Sequence, residues 1–274
     1  MRRVFAACAL VLLAAACAAP AQRYAQAARD DGFTRIVLPG SGFRHVAFVA
    51  GLDAGTDVLH VYVEHDGTPW LDSTHVATDP TPRAPLALAL MARDTGPRLL
   101  LGRPCYFEVV HDAGCDAMLW THHRYAPEVV ASMVAALRAF LASHAFPRVI
   151  LIGFSGGGTL AWLMAEHLPE TVAVVTLAAN LDTDDWTRLH GYSYMAGSLN
   201  PAKQPSLPRG IREVHYVGER DENVPPSLAR AFLTRHPEAT IVELPQFDHR
   251  CCWVERWPAL LDDAMNTTPS ARPE

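Results

Sequence analysis

The stretch VILIGFSGGG at residues 149–158 places one serine, Ser155, directly before three glycines. The apolar run predicts a buried strand and the residues after it favour a helix, so the serine stands at the corner between them. A serine on such a tight turn is well placed to act as a nucleophile, because the glycines leave room for the adjacent strand and helix. A P-loop needs a lysine after the glycines and a dinucleotide-binding turn needs a further glycine, whereas residues 159–161 read TLA. A packing turn with an incidental serine is the alternative without chemistry.

A serine is a weak nucleophile at its ordinary pKa, so it needs a general base, and the base needs an acid to orient it. Asp221 lies in the loop after the predicted strand 212–218, and we predict that it is this acid. Glu219 and Glu222 are neighbours that could take the same role. All three carboxylates could also be solvated charges of a surface loop.

The sequence contains 13 histidines, so no histidine is selected by its presence alone. His249 is distinguished by its position, because it lies in the loop after the last predicted strand, 240–244. Reactive groups gather at the carboxyl ends of parallel strands, so His249 is the candidate for the general base that activates Ser155, and the family resemblance given below implies this role.

Two backbone N–H groups are needed to bind the negative oxygen that forms when a nucleophile attacks a carbonyl group. Gly156, directly after the serine, is the predicted source of one. The loop after the third predicted strand reads EHDGTPW at residues 64–70 and is the predicted source of the other. Thr68 is the expected donor there, together with Gly67, and Asp66 could instead brace the loop.

The elements that must position these residues alternate between strands and helices, which predicts a mostly parallel sheet covered by helices on both faces. The first three strands have no helices between them, so that edge is expected to be antiparallel or mixed. The predicted strands are 34–38, 44–50, 58–64, 98–104, 149–153, 172–177, 212–218 and 240–244. The predicted helices are 85–93, 127–144, the segment from the serine to about residue 168, 227–235 and 253–264.

The pattern G-x-S-x-G around Ser155, followed in chain order by Asp221 and His249, resembles the nucleophile elbow and triad of α/β-hydrolases. The segments EHDGTPW, DPTPR, GRPC and CCW also resemble those of a group of bacterial envelope hydrolases. The resemblance implies the α/β-hydrolase fold over residues 34–264, with a mostly parallel central sheet, helices on both faces and a short cap insert at 180–209. It departs from the family where Asp66-Gly67 replaces the usual His-Gly.

The same resemblance implies a serine hydrolase that cleaves carboxylic esters of small-molecule acyl substrates through an acyl-enzyme, without a metal or an organic cofactor. A peptidase or an acyltransferase could use the same triad. A non-catalytic envelope binding protein on this fold is the alternative from another class.

The cap insert at 180–209 is rich in proline, glycine and aromatic residues and is expected to stand over the serine. Trp186 and Tyr192 within it, and Trp70 beside the predicted oxyanion loop, are the predicted substrate-binding residues. Packing of the cap onto the sheet is the simpler explanation for each cap residue. Other residues of the insert that could form a pocket wall are Asp182, His190, Tyr194 and Met195.

The N-terminal residues 1–16 have the arginines, the short apolar stretch and the small residues of a secretory signal peptide. Cys17 resembles the lipidated cysteine of a bacterial lipobox, and ordinary secretion with cleavage near Ala19 is the alternative. Residues 17–33 are then a flexible tether, and the protein is expected in the cell envelope, bound to the membrane only by its lipid anchor. A net charge of −6 and the lack of a basic run argue against a nucleic-acid partner.

Four cysteines lie beyond the predicted signal and anchor: Cys105, Cys115, Cys251 and Cys252. In an oxidising compartment they are expected to form disulfides, and all three possible pairings stay open. A zinc site built from Cys105, His111 and Cys115 is an alternative without a paired C-x-x-C motif to support it. Residues 265–274 are expected to form a disordered tail.

Overall fold

The computed structural model of the protein describes residues 19–266, and within that range it contains one sheet of eight strands. The strands are β1 (Thr34–Pro39), β2 (Arg44–Ala50), β3 (Val58–Val63), β4 (Arg98–Leu101), β5 (Arg148–Phe154), β6 (Thr171–Leu177), β7 (Arg212–Gly218) and β8 (Thr240–Leu244). The α-helices are α1 (Pro20–Asp30), α2 (Leu86–Arg93), α3 (Pro127–Leu141), α4 (Gly156–Ala165), α5 (Thr183–His190), α6 (Pro226–Leu233), α7 (Trp253–Arg256) and α8 (Ala259–Asn266). The predicted signal peptide, Cys17 and most of the predicted tail lie outside the described residues.

The strand order in the sheet is β1-β2-β4-β3-β5-β6-β7-β8. β2 pairs antiparallel with both β1 and β4, whereas every pair from β4 to β8 is parallel. The prediction of a mostly parallel sheet with an antiparallel edge is therefore confirmed. After β3 the next strand, β4, is added towards one edge of the sheet, and after β5 the next strand, β6, is added towards the other edge. A crevice opens at such a switch point, between the carboxyl ends of β3 and β5.

The central strands read as continuous apolar runs because they are covered on both faces. In β5, RVILIGF, every residue after Arg148 is buried. Helix α4 packs against β5 and β6, and α3 packs against β1 and against α4. Helix α3 presents Val130, Met133 and Leu137 to the core at the three- and four-residue spacing that predicted it.

The N-terminal segment 17–33 was expected to be a flexible tether, and the structure corrects this for residues 20–30, which form α1. Ala21, Tyr24 and Ala28 of α1 are buried on one face, and the Tyr24 hydroxyl donates to Glu64 Oε2 at 3.2 Å. Because this face covers apolar surface of the sheet, α1 is part of the folded domain. The sequence predicts this helix only weakly, because the run is rich in alanine and has a single aromatic residue. Its apolar face becomes evident only where it packs against the sheet.

The predicted helix 253–264 is interrupted and forms α7 and α8. Pro258 has no N–H to donate and forces the preceding residue out of helical geometry, so Trp257 adopts an extended conformation. The predicted cap insert at 180–209 contains α5 and a short 3-10 turn at Pro201–Lys203. Within residues 19–266, no helix has the length and apolar character that are needed to cross a membrane.

Candidate active site

Ser155 lies on a sharp turn between β5 and α4, with φ 53° and ψ −125°. A non-glycine residue rarely adopts this conformation, and the surrounding hydrogen bonds hold it: the Ser155 N–H donates to the Leu177 carbonyl, and its own carbonyl accepts from the Gly158 N–H. An added Cβ on Gly157 would lie 2.1 Å from the Val63 carbonyl oxygen, so only glycine allows α4 to approach the end of β3 this closely. The turn therefore exposes the serine hydroxyl at the carboxyl edge of the sheet.

The structure brings the three predicted triad residues together. The Ser155 Oγ lies 3.1 Å from His249 Nε2, and His249 Nδ1 lies 2.8 Å from Asp221 Oδ2. The other carboxylate oxygen of Asp221 accepts the backbone N–H groups of Asn223 and Val224, both at 2.8 Å. Because this side chain is fully buried and its oxygens are occupied, it holds the imidazole in the tautomer whose Nε2 can accept a proton.

Of the three acidic residues in the predicted loop, Asp221 is the one that contacts His249, whereas Glu219 and Glu222 are exposed. The sequence analysis missed Asn223, whose side-chain amide lies 3.0 Å from His249 Nε2. The Asn223 carbonyl also accepts the Trp186 indole N–H at 2.9 Å, so this residue joins the acid loop to α5 of the cap. A pattern of types and spacing does not show such a contact, because asparagine is common in loops of every kind.

The Gly156 N–H, the first predicted oxyanion donor, lies in the first turn of α4 directly after Ser155, where backbone N–H groups lack helical partners. The structure corrects the second. The Thr68 N–H donates to the Pro80 carbonyl at 2.9 Å, and the Gly67 N–H donates to His65 Nδ1 at 3.0 Å, so neither is available. Asp66 is the residue of this loop that lies against Gly156, and its N–H donates to no other group of the described residues.

Ser155 and His249 open into a cavity of about 1000 Å³. The predicted substrate-binding residues Trp70, Trp186 and Tyr192 all line it. Further lining side chains are of two kinds: apolar ones, which include Pro69, Leu86, Phe154, Met195 and Val254, and polar or charged ones, which include Asp66, Asp72, Arg124, Asn223 and Arg250. The cavity can therefore accept a bulky apolar group next to the serine.

Three other candidates from the cap insert have different positions. Asp182 is buried, accepts the Asp185 N–H at the start of α5 and pairs with Arg235. His190 donates from Nε2 to the Asn223 carbonyl at 2.8 Å, and Tyr194 is exposed outside the cavity lining. These residues shape or flank the cap and do not form the cavity wall.

The cysteines pair with their nearest neighbours in sequence: Cys105 with Cys115, and Cys251 with Cys252. The first pair joins Cα atoms 5.5 Å apart, a normal disulfide span. Both thiols of the alternative zinc site with His111 are thereby used, so these residues do not fit a zinc ion. Within residues 19–266, no other group of three or more His, Cys, Asp or Glu side chains has the arrangement of a metal site.

The strand order, the strained serine between β5 and α4, and the loops that carry Asp221 and His249 together define the α/β-hydrolase fold. No protein-family model and no curated protein sequence matches this chain. Solved structures do resemble it. The esterase Pf2001 of Pyrococcus furiosus has a TM-score of 0.60 at 13% identity, over 86% of this chain and 91% of that one.

Two further structures have the same architecture. XC6422 of Xanthomonas campestris, an α/β serine hydrolase without a lid, has a TM-score of 0.54 at 15% identity, over 88% of this chain and 97% of that one. A puromycin-hydrolysing peptidase of Mycobacterium tuberculosis has a TM-score of 0.60 at 15% identity, over 87% of this chain and 40% of that one. At such identities the similarity is one of fold.

Proposed function

We propose that this protein is a serine hydrolase that cleaves carboxylic esters through an acyl-enzyme. The observation that carries the proposal is the chain of contacts from Ser155 through His249 to buried Asp221, at hydrogen-bond distances of 3.1 and 2.8 Å. These contacts lie beside a cavity with aromatic and aliphatic side chains in its wall, where an acyl carbonyl can approach the serine.

The reaction follows from these positions. His249 Nε2 removes the hydroxyl proton as Ser155 Oγ attacks the carbonyl carbon, and Asp221 stabilises the imidazolium that forms. The N–H groups of Gly156 and Asp66 donate to the carbonyl oxygen as its charge develops. His249 then gives its proton to the leaving alcohol. Water, deprotonated by the same imidazole, attacks the acyl-enzyme, and His249 returns the proton to Ser155 Oγ as the acid leaves.

The activated serine is tested with a fluorophosphonate probe, which phosphonylates a nucleophilic serine. We expect the protein to be labelled and the Ser155→Ala variant to remain unlabelled. Ser132→Ala is a matched control, because Ser132 also contacts a histidine, His45, at 2.7 Å, but the pair is buried away from the cavity. Absence of labelling in the folded wild type would favour the non-catalytic binding protein.

The substrate class follows from the cavity, whose volume and aromatic walls suit an ester with a large apolar group. Each methylene that becomes buried contributes up to about 0.8 kcal/mol, so kcat/KM for p-nitrophenyl octanoate should exceed that for the acetate by at least about tenfold. A value that falls with acyl length would contradict this assignment. The peptidase alternative uses the same three residues, and an amide series in the same assay tests it.

The location in the cell is a separate proposal. We propose that the signal at residues 1–16 exports the protein and that lipid on Cys17 anchors it in the cell envelope. Cys17→Ser should release it from the membrane fraction, whereas Cys8→Ser, in the same segment, should leave it bound. Unchanged fractionation of Cys17→Ser would exclude the anchor.

A further inference from the structure

An ionic cluster of two buried arginines and one partly buried carboxylate lies directly beside the Ser155 turn. Asp66 pairs through Oδ1 with Arg103 Nη2 at 2.7 Å and through Oδ2 with Arg124 Nη1 at 2.8 Å. The Tyr125 hydroxyl donates to the same carboxylate, at 2.7 Å from Oδ2. These residues come from three loops: the one after β3, the one after β4 and the one before α3. We call this group the Asp66 cluster.

The Asp66 cluster is poorly explained by stability alone. Taking ions out of water is costly, and a buried ion pair often contributes no more than apolar residues of the same volume would. Arg103 is 3% exposed, and its Nε and Nη1 atoms are buried without a hydrogen-bond partner. A buried polar network that leaves donors unpaired is less favourable than a fully satisfied one. The cluster therefore calls for a role that offsets this cost.

The carboxylate of the Asp66 cluster is ionised. Burial would raise the pKa of Asp66, but the positive charges of Arg103 and Arg124, with the Tyr125 hydrogen bond, outweigh burial and hold it below its usual range. The carboxylate therefore accepts hydrogen bonds in its ionised form and links the loop after β3 to Arg103 and Arg124.

The position of the Asp66 cluster indicates its role. A Cβ added to Gly156 would lie 1.9 Å from Asp66 Oδ1 and 2.4 Å from the Tyr125 hydroxyl oxygen, so the cluster packs against the residue that follows the nucleophile. The Asp66 carbonyl is also held, because it accepts the Tyr106 hydroxyl at 2.8 Å. With its side chain and its carbonyl both fixed, the orientation of the Asp66 backbone beside Gly156 is determined.

We propose that Arg103, Arg124 and Tyr125 are positioning residues that hold the Asp66 N–H next to the Gly156 N–H, so that both donate to the developing oxyanion. The proposal rests on the proposed function, since an oxyanion forms only if Ser155 attacks a carbonyl group. The Asp66 cluster takes the place of the His-Gly dipeptide that this sequence lacks.

The variants that test this are Tyr125→Phe, which removes one hydroxyl, and the pair Arg103→Met and Arg103→Lys. Loss of one oxyanion donor costs about 10²–10³-fold in kcat, so we expect about 10²-fold for Arg103→Met and about 10-fold for Tyr125→Phe, with KM within about twofold. Arg103→Lys keeps a cation near Asp66 and should recover part of the loss. Tyr216→Phe is the matched control, because this buried tyrosine donates one hydrogen bond, to Leu260, far from the cavity.

A second readout separates positioning from general damage. A thionoester presents sulfur where the ester has its carbonyl oxygen, and sulfur is the weaker acceptor, so a working oxyanion hole prefers the oxygen ester. The ratio of kcat for the oxygen ester to kcat for the thionoester should therefore fall in Tyr125→Phe and in Arg103→Met. The expected factor is about the one by which kcat for the oxygen ester itself falls. In Tyr216→Phe the ratio should stay constant.

The outcomes of this experiment distinguish the two proposals. If the variants unfold more easily but keep both kcat and the oxygen-to-sulfur ratio, the Asp66 cluster is merely structural and the inference is wrong while the proposed function stands. If the wild type neither hydrolyses an ester nor reacts with the fluorophosphonate, both proposals are wrong.

Discussion

Replacing Gly156 by alanine is the sharpest perturbation that the structure offers, because it adds one methyl group directly against the Asp66 carboxylate and the Tyr125 hydroxyl. The new Cβ would lie 1.9 Å from Asp66 Oδ1, whereas ordinary contact begins at 3.4 Å. The Asp66 carboxylate must therefore retreat by about 1.5 Å, the difference between these two distances. Gly156 does not have a positive φ, so backbone strain does not contribute to the effect.

The size of the effect follows from that displacement. A misplacement of about 1 Å at a reacting group can cost about 10²-fold in rate. We therefore expect kcat for a p-nitrophenyl ester to fall by at least about 10²-fold in Gly156→Ala, equivalent to about 3 kcal/mol of transition-state stabilisation. KM should change less than kcat, since the aromatic part of the cavity wall at Trp70, Trp186 and Tyr192 stays in place.

The assay is steady-state hydrolysis together with circular dichroism to establish that the variant is folded. Gly96→Ala is the matched control, because its added Cβ would meet no atom closer than 3.6 Å. A folded Gly156→Ala variant with kcat within threefold of the wild-type value would show that Asp66 does not contribute a donor.

Three further outcomes are expected. Ser155→Gly should raise the free energy of unfolding in urea by about 1 kcal/mol relative to Ser155→Ala, because glycine relieves the conformation at φ 53°; equal stabilities would mean that the turn is unstrained. Asp221→Asn should lower kcat by roughly 10³–10⁴-fold, the scale known for chymotrypsin-type triads, because an amide stabilises the wrong tautomer of His249; a loss below tenfold would contradict its role. Burial lowers the pKa of His45 from 6.5 to about 4, so this side chain is neutral in the fold and binds a proton in the unfolded chain as the pH falls below 6.5. The wild type should therefore lose about 2 kcal/mol more stability than His45→Gln between pH 7 and pH 5, and parallel losses in urea unfolding would refute the linkage.

The prediction of the triad residues depended on local signals. Ser155 was marked by a buried strand before it and glycines after it, and Asp221 and His249 each follow a strand in the same parallel sheet. The carboxyl ends of parallel strands meet at one edge of the sheet. Residues that each directly follow a strand therefore become neighbours in space, although they are far apart along the chain. Helix α3 was predicted equally well, since its apolar spacing reports one buried face.

The errors arose where the decisive partner is distant in the chain. Helix α1 was expected to be a tether because its apolar face has meaning only against the sheet it covers. Thr68 was expected to donate to the oxyanion, but its N–H is taken by Pro80, a partner that loop composition does not reveal.

The sequence alone determined the α/β class and the places of Ser155, Asp221 and His249 directly after their strands, because strand periodicity and glycine sterics act over a few residues. Only the tertiary structure decided what stands beside the nucleophile. Asp66 and Arg124 are 58 positions apart, and a partly buried carboxylate is stabilised where cations converge on it. That convergence depends on the packing of three loops around the end of β3, and no local pattern encodes it.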